Sequence, residues 1–259
     1  MALLDVRFYS EALRESTTMT VILPESAQGQ IGMETVESDG KPQVLYLLHG
    51  LSDDDSIWLR RTSIERYVAP LGLAVIMPKA GRSFYADEHV GQRYWTFISE
   101  ELPATVNKLF NVSGKREDTF VAGLSMGGYG AFKLALNHPD RFAAAASLSG
   151  ALKIAQSESI EWLRSNDELP QVWSEKGPTG TDDDLIHLLR TRNRSVLPPL
   201  YQVCGRQDFL YGDNIAFAQT ARELGTDLVS HLDLDGDHDW QFWDDEIRRV
   251  LDWLPLRRK

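Results

Sequence analysis

Short apolar runs recur along this chain at residues 44–48, 73–77, 119–122, 143–148 and 200–203, with a weaker one at 228–232. Each has the length of a strand and is mostly apolar without a polar alternation, as expected of a strand covered on both faces. Helical patterns occupy intervals between and after them, at residues 95–110, 126–137, 214–224 and 240–254. Parallel neighbours need a crossover, which an intervening helix provides. The expected fold class is therefore α/β, with a mostly parallel central sheet and helices on both faces. Ahead of it, β-prone stretches at 6–9 and 19–23, separated by the polar run 10–18, predict an antiparallel pair. Residues 24–41, carrying Ser, Gly, Gln and acidic side chains, predict a surface loop.

A chain of 259 residues, 42% of them hydrophobic, has material for one large core, and a single domain over 1–259 is expected. One stretch breaks the alternation. Residues 151–195 are polar and helix-leaning, with Gly177, Pro178 and Gly180 ahead of Asp182-Asp183-Asp184. They read as a short helical insertion, cap-like, over the carboxyl ends of the strands, where open α/β sheets place their ligands. The formal net charge of -11 repels polyanions, which argues against nucleic acid and anionic membrane as partners and leaves small molecules open. Residues 1–10 lack a basic stretch leading into an apolar one, and no segment approaches the roughly 20 apolar residues that span a bilayer. A soluble, cytoplasmic protein is expected. Cys204 has no second cysteine to bridge to, and its neighbours Leu200, Tyr201 and Val203 predict a buried strand residue.

The strongest local signal is Gly123-Leu124-Ser125-Met126-Gly127-Gly128, which follows an apolar run and opens a helical pattern. That context fits a nucleophile elbow, a sharp strand-to-helix turn that lifts the serine hydroxyl clear of the sheet. The helix N-terminus then favours a developing oxyanion. A serine needs a base, and the base needs an orienting acid, in the chain order Ser, Asp or Glu, His. Among the downstream histidines, His138 reads as a helix C-cap, His187 as a solvated residue of the insertion and His231 as part of the last strand. His238 lies in Asp235-Gly236-Asp237-His238-Asp239-Trp240, after the final strand, from where it can swing back over the elbow. Asp208, in Gly205-Arg206-Gln207-Asp208-Phe209, is the favoured acid. Asp213, before a helical pattern, reads better as an N-cap. The oxyanion donors are expected to be the amides of Met126 and Leu51, the latter from His49-Gly50-Leu51 at the end of an early strand, with His49 bracing the turn.

At these residues the sequence resembles the esterase D family, and more closely its bacterial tributyrin-esterase-like branch. The matching segments are Leu47-Leu48-His49-Gly50-Leu51-Ser52, Ala122-Gly123-Leu124-Ser125-Met126-Gly127-Gly128-Tyr129-Gly130, Ser149-Gly150-Ala151, Cys204-Gly205-Arg206-Gln207-Asp208-Phe209-Leu210-Tyr211 and Gly236-Asp237-His238-Asp239-Trp240. They run in the same order over nearly the whole chain. The resemblance implies the α/β-hydrolase fold, a catalytic triad of Ser125, Asp208 and His238, and oxyanion donation from Leu51 and Met126. The favoured reading is a serine carboxylesterase acting on short-chain acyl esters through an acyl-enzyme, with no cofactor. The family includes relatives acting on feruloyl or acetylated sugars, so substrate does not follow from membership, and the resemblance makes a homo-oligomer plausible. The family also holds S-formylglutathione hydrolases, but that branch carries a cysteine shortly after the early strand, where this chain reads Leu51-Ser52-Asp53-Asp54-Asp55. A thioesterase of that type is the first alternative. Acyl transfer to an alcohol on the same triad is a second, and a binding module that keeps the fold without catalysis is a third.

Other motifs carry less. Asp233, Asp235 and Asp237 alternate as in a calcium loop, but His238 stands where the sharp turn demands glycine, so no metal is expected. Those carboxylates read instead as caps of the last helix and as neighbours that tune the His238 loop. Asp53 to Asp55 read as solvated helix-start residues. Gly50, Trp58, Trp95 and Trp240 are candidate walls of the substrate pocket, with Tyr85 and Trp243 as further aromatics near strand ends.

Overall fold

The computed structural model describes residues 1–25, 29, 31, 32, 36, 40–155 and 157–257. Of the loop expected over 24–41, residues 26–28, 30, 33–35 and 37–39 lie outside the described residues. Strands β1 (Ala2–Ser10) and β2 (Glu15–Leu23) pair antiparallel, with Ala2 opposite Leu23 and Ser10 opposite Glu15. Both outrun the expected stretches: Thr17 and Thr18 suit a pleated surface despite being polar and extend β2, and pairing with β2 along its whole length extends β1. Exposure alternates along β1, as an edge strand with one covered face requires.

The apolar runs become β3 (Val44–Leu48), β4 (Ala74–Pro78), β5 (Thr119–Leu124), β6 (Ala144–Leu148) and β7 (Leu200–Val203), and the weaker one becomes β8 (Leu228–His231). They complete an eight-stranded sheet in the order β1-β2-β4-β3-β5-β6-β7-β8, parallel from β4 to β8. β8 is the far edge and only half covered, which is why its pattern is weak in sequence. From β3 the chain moves outward to β4 and then back past β3 to β5, so the strand order reverses between β3 and β5. Pairing of Leu48 with Gly123 sets the ends of these two strands side by side. A crevice at such a switch point is where open α/β sheets bind ligands.

Two cores lie on opposite faces. One packs the elbow helix (Met126–Asn137) and the helices carrying Phe97, Val106 and Phe217 over Val121 and Ala145. The other packs Trp58, Ile64, Val68, Ile247 and Val250 over Leu45, Leu47 and Ala146. The helical pattern of 95–110 forms as Tyr94–Thr96, a wide turn over Phe97–Glu101, and Leu102–Leu109. The wide turn runs up to Pro103, whose missing N–H interrupts regular bonding. The stretch 151–195 carries helices Ser157–Ser165, Glu168–Val172 and Leu185–Thr191. Ala151, Ile154, Trp162 and Leu163 from this stretch face the same cavity as Ser125. Among the described residues no helix is long and apolar enough to cross a membrane.

Candidate active site

Ser125 sits between β5 and the elbow helix with φ 52° and ψ -117°, a conformation that costs a non-glycine residue about 1–3 kcal/mol. Its amide donates to the Leu148 carbonyl at 2.9 Å, and its own carbonyl accepts from Ala151 at 3.2 Å. The flanking glycines are required by close approach. A Cβ on Gly127 would lie 2.7 Å from the His49 carbonyl oxygen and press on Leu48 as well, and one on Gly123 would strike the Gly127 carbonyl. Met126 opens the helix, so its amide has no partner within that helix, and the residue lines the cavity.

Three side chains from three strand ends converge here. Ser125 Oγ lies 3.1 Å from His238 Nε2, and His238 Nδ1 lies 2.9 Å from Asp208 Oδ2. With the Nδ1 proton donated to the carboxylate, Nε2 is left as the acceptor facing the serine hydroxyl. Asp208 is 4% exposed, and its Oδ1 accepts from the Leu210 amide at 2.8 Å. Burial alone pushes this carboxyl up. The bond and charge of His238, with Ser149 and the Leu210 amide, outweigh that and hold it below the ordinary carboxylate range. The His238 ring is gripped between Phe209, at a centroid distance of 4.4 Å, and Trp243, edge-on at 4.8 Å. Trp243 is itself fixed by donation to Ser149 Oγ at 3.1 Å.

Leu51 and Gly50 line the cavity across from the elbow. His49 is buried and turns away from it. Its Nε2 accepts from the Ala80 amide at 2.9 Å, its Nδ1 donates to the Gly50 carbonyl at 2.7 Å, and burial lowers its pKa. It therefore braces the turn as a neutral imidazole. Tyr85, which has a positive φ of 50°, donates to the His49 carbonyl at 2.9 Å. Lys133 in the elbow helix is 1% exposed, donates to the Tyr85 carbonyl at 2.8 Å, pairs with Asp183 at 2.5 Å and sits over the Trp95 ring. Burial lowers its pKa and Asp183 opposes that shift. This buried relay from the insertion to the His49 turn is invisible in sequence, where Lys133 reads as one polar residue on a helix.

The cavity has a volume of about 540 Å³. Trp240 lines it, and Phe84, Trp162, Phe209 and Trp243 add to its aromatic wall. Trp58 does not line it. It is 1% exposed, donates to the Leu48 carbonyl at 3.1 Å and backs Trp240 edge-on, so it supports the wall from behind. Trp95 is also misplaced by sequence reasoning. It stacks on His138, the C-cap of the elbow helix, whereas Ser125 is at the other end, about 18 Å away at 1.5 Å rise per residue. Tyr85 is fully buried and does not line the cavity.

Asp213 is not an N-cap. The helix Tyr211–Leu224 is capped by Leu210, and Asp213 lies in its first turn, lining the cavity. Asp53 also lines the cavity rather than facing solvent, and Asp55 accepts from Thr18 and Thr20 at 2.7 and 2.9 Å. Asp239, rather than the alternating carboxylates before it, caps the last helix through the Phe242 amide at 2.9 Å. Asp235 pairs with Arg206, and Asp237 accepts from the His238 amide at 2.8 Å. Among the described residues no group of three or more His, Cys, Asp or Glu is placed to hold a metal ion. Cys204 is buried, which pushes its thiol well up and leaves it inert.

A doubly covered parallel sheet with a strained serine at the turn after its central strand defines an α/β-hydrolase. The chain matches the Esterase family model over residues 10–254. It is 31% identical to an acetyl esterase of Caldicellulosiruptor saccharolyticus over 98% of both chains. Among solved structures it is similar to the fluorophosphonate-binding serine hydrolase FphF of Staphylococcus aureus, at 36% identity, 98% coverage of both chains and a TM-score of 0.86. It is also similar to the S-formylglutathione hydrolase FrmB of the same organism, at 34% identity, 98% coverage of both chains and a TM-score of 0.78. The chain belongs to the Esterase family.

Proposed function

We propose that this protein is a serine carboxylesterase acting on short-chain acyl esters, with Ser125 as nucleophile, His238 as general base and Asp208 as the acid that orients the histidine. The observation that carries the reading is the unbroken hydrogen-bond chain from Ser125 Oγ through His238 to Asp208, with Ser125 and His238 lining a cavity. Ser125 Oγ attacks the ester carbonyl carbon while its proton passes to His238 Nε2. The oxyanion is held by the amides of Leu51 and Met126 and by the helix N-terminus. Asp208 stays ionised and stabilises the imidazolium. The C–O bond to the alcohol then breaks, and the alcohol takes its proton from His238 Nε2. Water, deprotonated by the same nitrogen, hydrolyses the acyl-enzyme.

In this reading the chain acts as one domain, with 151–195 as a cap that walls the acyl and alcohol sites, and works in the cytoplasm on a small ester. The likeness to FrmB, an S-formylglutathione hydrolase, favours a second substrate for the same serine, a thioester. Hydrolysis of p-nitrophenyl acetate, butyrate and octanoate beside Ser125→Ala tests the reading. The expected result is a rate that declines with acyl length and is lost in the variant. Equal rates in both proteins would overturn it.

A further inference from the structure

The cavity above Ser125 is electrically one-sided. Apart from His238, its ionisable lining side chains are Asp53 and Asp213, and neither lysine nor arginine is among the described residues that line it. Burial pushes the Asp53 carboxyl up and Arg61, on the helix that follows, partly offsets this from outside the cavity lining, while three other guanidinium groups on flanking segments are engaged elsewhere. Arg82 pairs with Glu168, Arg164 with Glu175 at 3.5 Å and Arg206 with Asp235 at 2.5 Å. Lys153, beside Ile154, does not line the cavity.

Asp53 is built into the turn that carries Leu51. Its amide donates to the Gly50 carbonyl at 3.3 Å, and its Oδ2 lies 2.9 Å from where a Cβ on Gly50 would stand. Its neighbours are committed elsewhere, Asp54 to the amide and hydroxyl of Ser56 and Asp55 to β2. Half-buried in the cavity wall two residues after Leu51, this carboxylate acts through protein as well as water, so its field is screened less than that of a surface group. A short acyl group fills only the space next to Ser125, and most of the cavity then receives the alcohol portion of the ester.

We propose that Asp53 makes the cavity a charge filter, admitting esters whose alcohol portion is neutral or cationic and disfavouring those whose alcohol portion is anionic. The proposal rests on the esterase reading above and names its substrate class. It also predicts that a thioester of net negative charge is a poor substrate for the same serine. Asp53 is thus a specificity-determining residue, one that bears on binding rather than on proton transfer.

Acetate esters of three alcohols of similar size test it: choline (cationic), 3,3-dimethylbutanol (neutral) and 3-hydroxypropanesulfonate (anionic). Each kcat/KM is divided by the ester's hydroxide-catalysed rate. At low ionic strength the anionic ester is expected to fall about tenfold below the neutral one, chiefly through KM, as a unit charge near a partly buried carboxylate implies. Asp53→Asn should bring that ratio to within about threefold, whatever it does to the absolute rates, and about 0.5 M salt should narrow it in the wild type. Normalised rates that are equal in the wild type, or a gap that Asp53→Asn leaves unchanged, would overturn the filter. Activity on the neutral ester that survives Ser125→Ala would instead overturn the esterase reading, so the two failures are separable.

Discussion

Asp208→Asn is the perturbation for which the structure dictates the outcome in most detail. Asp208 Oδ1 accepts from the Leu210 amide at 2.8 Å, and Oδ2 accepts from His238 Nδ1 at 2.9 Å. In the variant the Leu210 N–H needs an acceptor, so the asparagine oxygen takes the Oδ1 position and its NH2 group faces His238. Two donors cannot face each other. The histidine proton moves to Nε2, where it points at Ser125 Oγ and cannot accept the hydroxyl proton. In other Ser-His-Asp enzymes the same tautomer error lowers kcat about 10⁴-fold, equivalent to about 5.4 kcal/mol at about 1.36 kcal/mol per tenfold. We expect a loss of that order in steady-state hydrolysis of p-nitrophenyl butyrate, with KM changed by less than about threefold. Asp213→Asn, which alters the other carboxylate near the loop, is expected to lose less than about tenfold because no proton passes through it. A variant at Asp208 retaining more than about a tenth of wild-type kcat, or a more severe loss at Asp213, would refute the assignment of the orienting acid.

Gly127→Ala places a methyl against two backbone carbonyls that cannot rotate away, so the elbow helix must shift; a loss of about 1–3 kcal/mol in denaturant unfolding is expected, together with most activity. Unchanged stability would mean that the elbow is looser than its geometry. His49 is held neutral, with its pKa lowered by burial, so it favours the folded state fully above the unfolded value near 6.5, and this contribution is lost as pH falls through the lower folded value. Wild-type Tm should therefore drop more steeply than that of His49→Gln between pH 7 and 5, and parallel curves would contradict this. Lys133→Met leaves Asp183 without its buried partner and should cost about 3 kcal/mol. Tyr85→Phe removes one hydrogen bond to the His49 carbonyl and should cost about 1 kcal/mol, with kcat falling while KM holds; a change in KM alone would deny Tyr85 a part in positioning that turn.

The parallel sheet was legible because each central strand is buried on both faces and so carries a mostly apolar run, broken only by single polar residues such as Ser147 and Gln202. The elbow was legible for a steric reason, since Gly123 and Gly127 meet backbone atoms that no side chain could displace. His238 and Asp208 could be reached by chain order, because the loops after parallel strands all emerge on one side of the sheet. What remained hidden depends on distances between segments remote in sequence. Asp53 and Asp55 look alike in the run 53–55, yet one faces the cavity and the other is tied to β2. Trp58, Trp95 and Trp240 all follow strands, but only the fold decides that Trp95 stands at the wrong end of the elbow helix. Lys133 gave no signal, since a buried lysine is recognisable only by its partners.

The central claim is that Ser125 is a nucleophile activated by His238. Incubation with a fluorophosphonate, followed by intact mass measurement and peptide mapping, tests it most directly. The account predicts one covalent adduct on Ser125, absent in Ser125→Ala and formed far more slowly in His238→Ala. An adduct on another residue, or undiminished labelling when either side chain is removed, would contradict it.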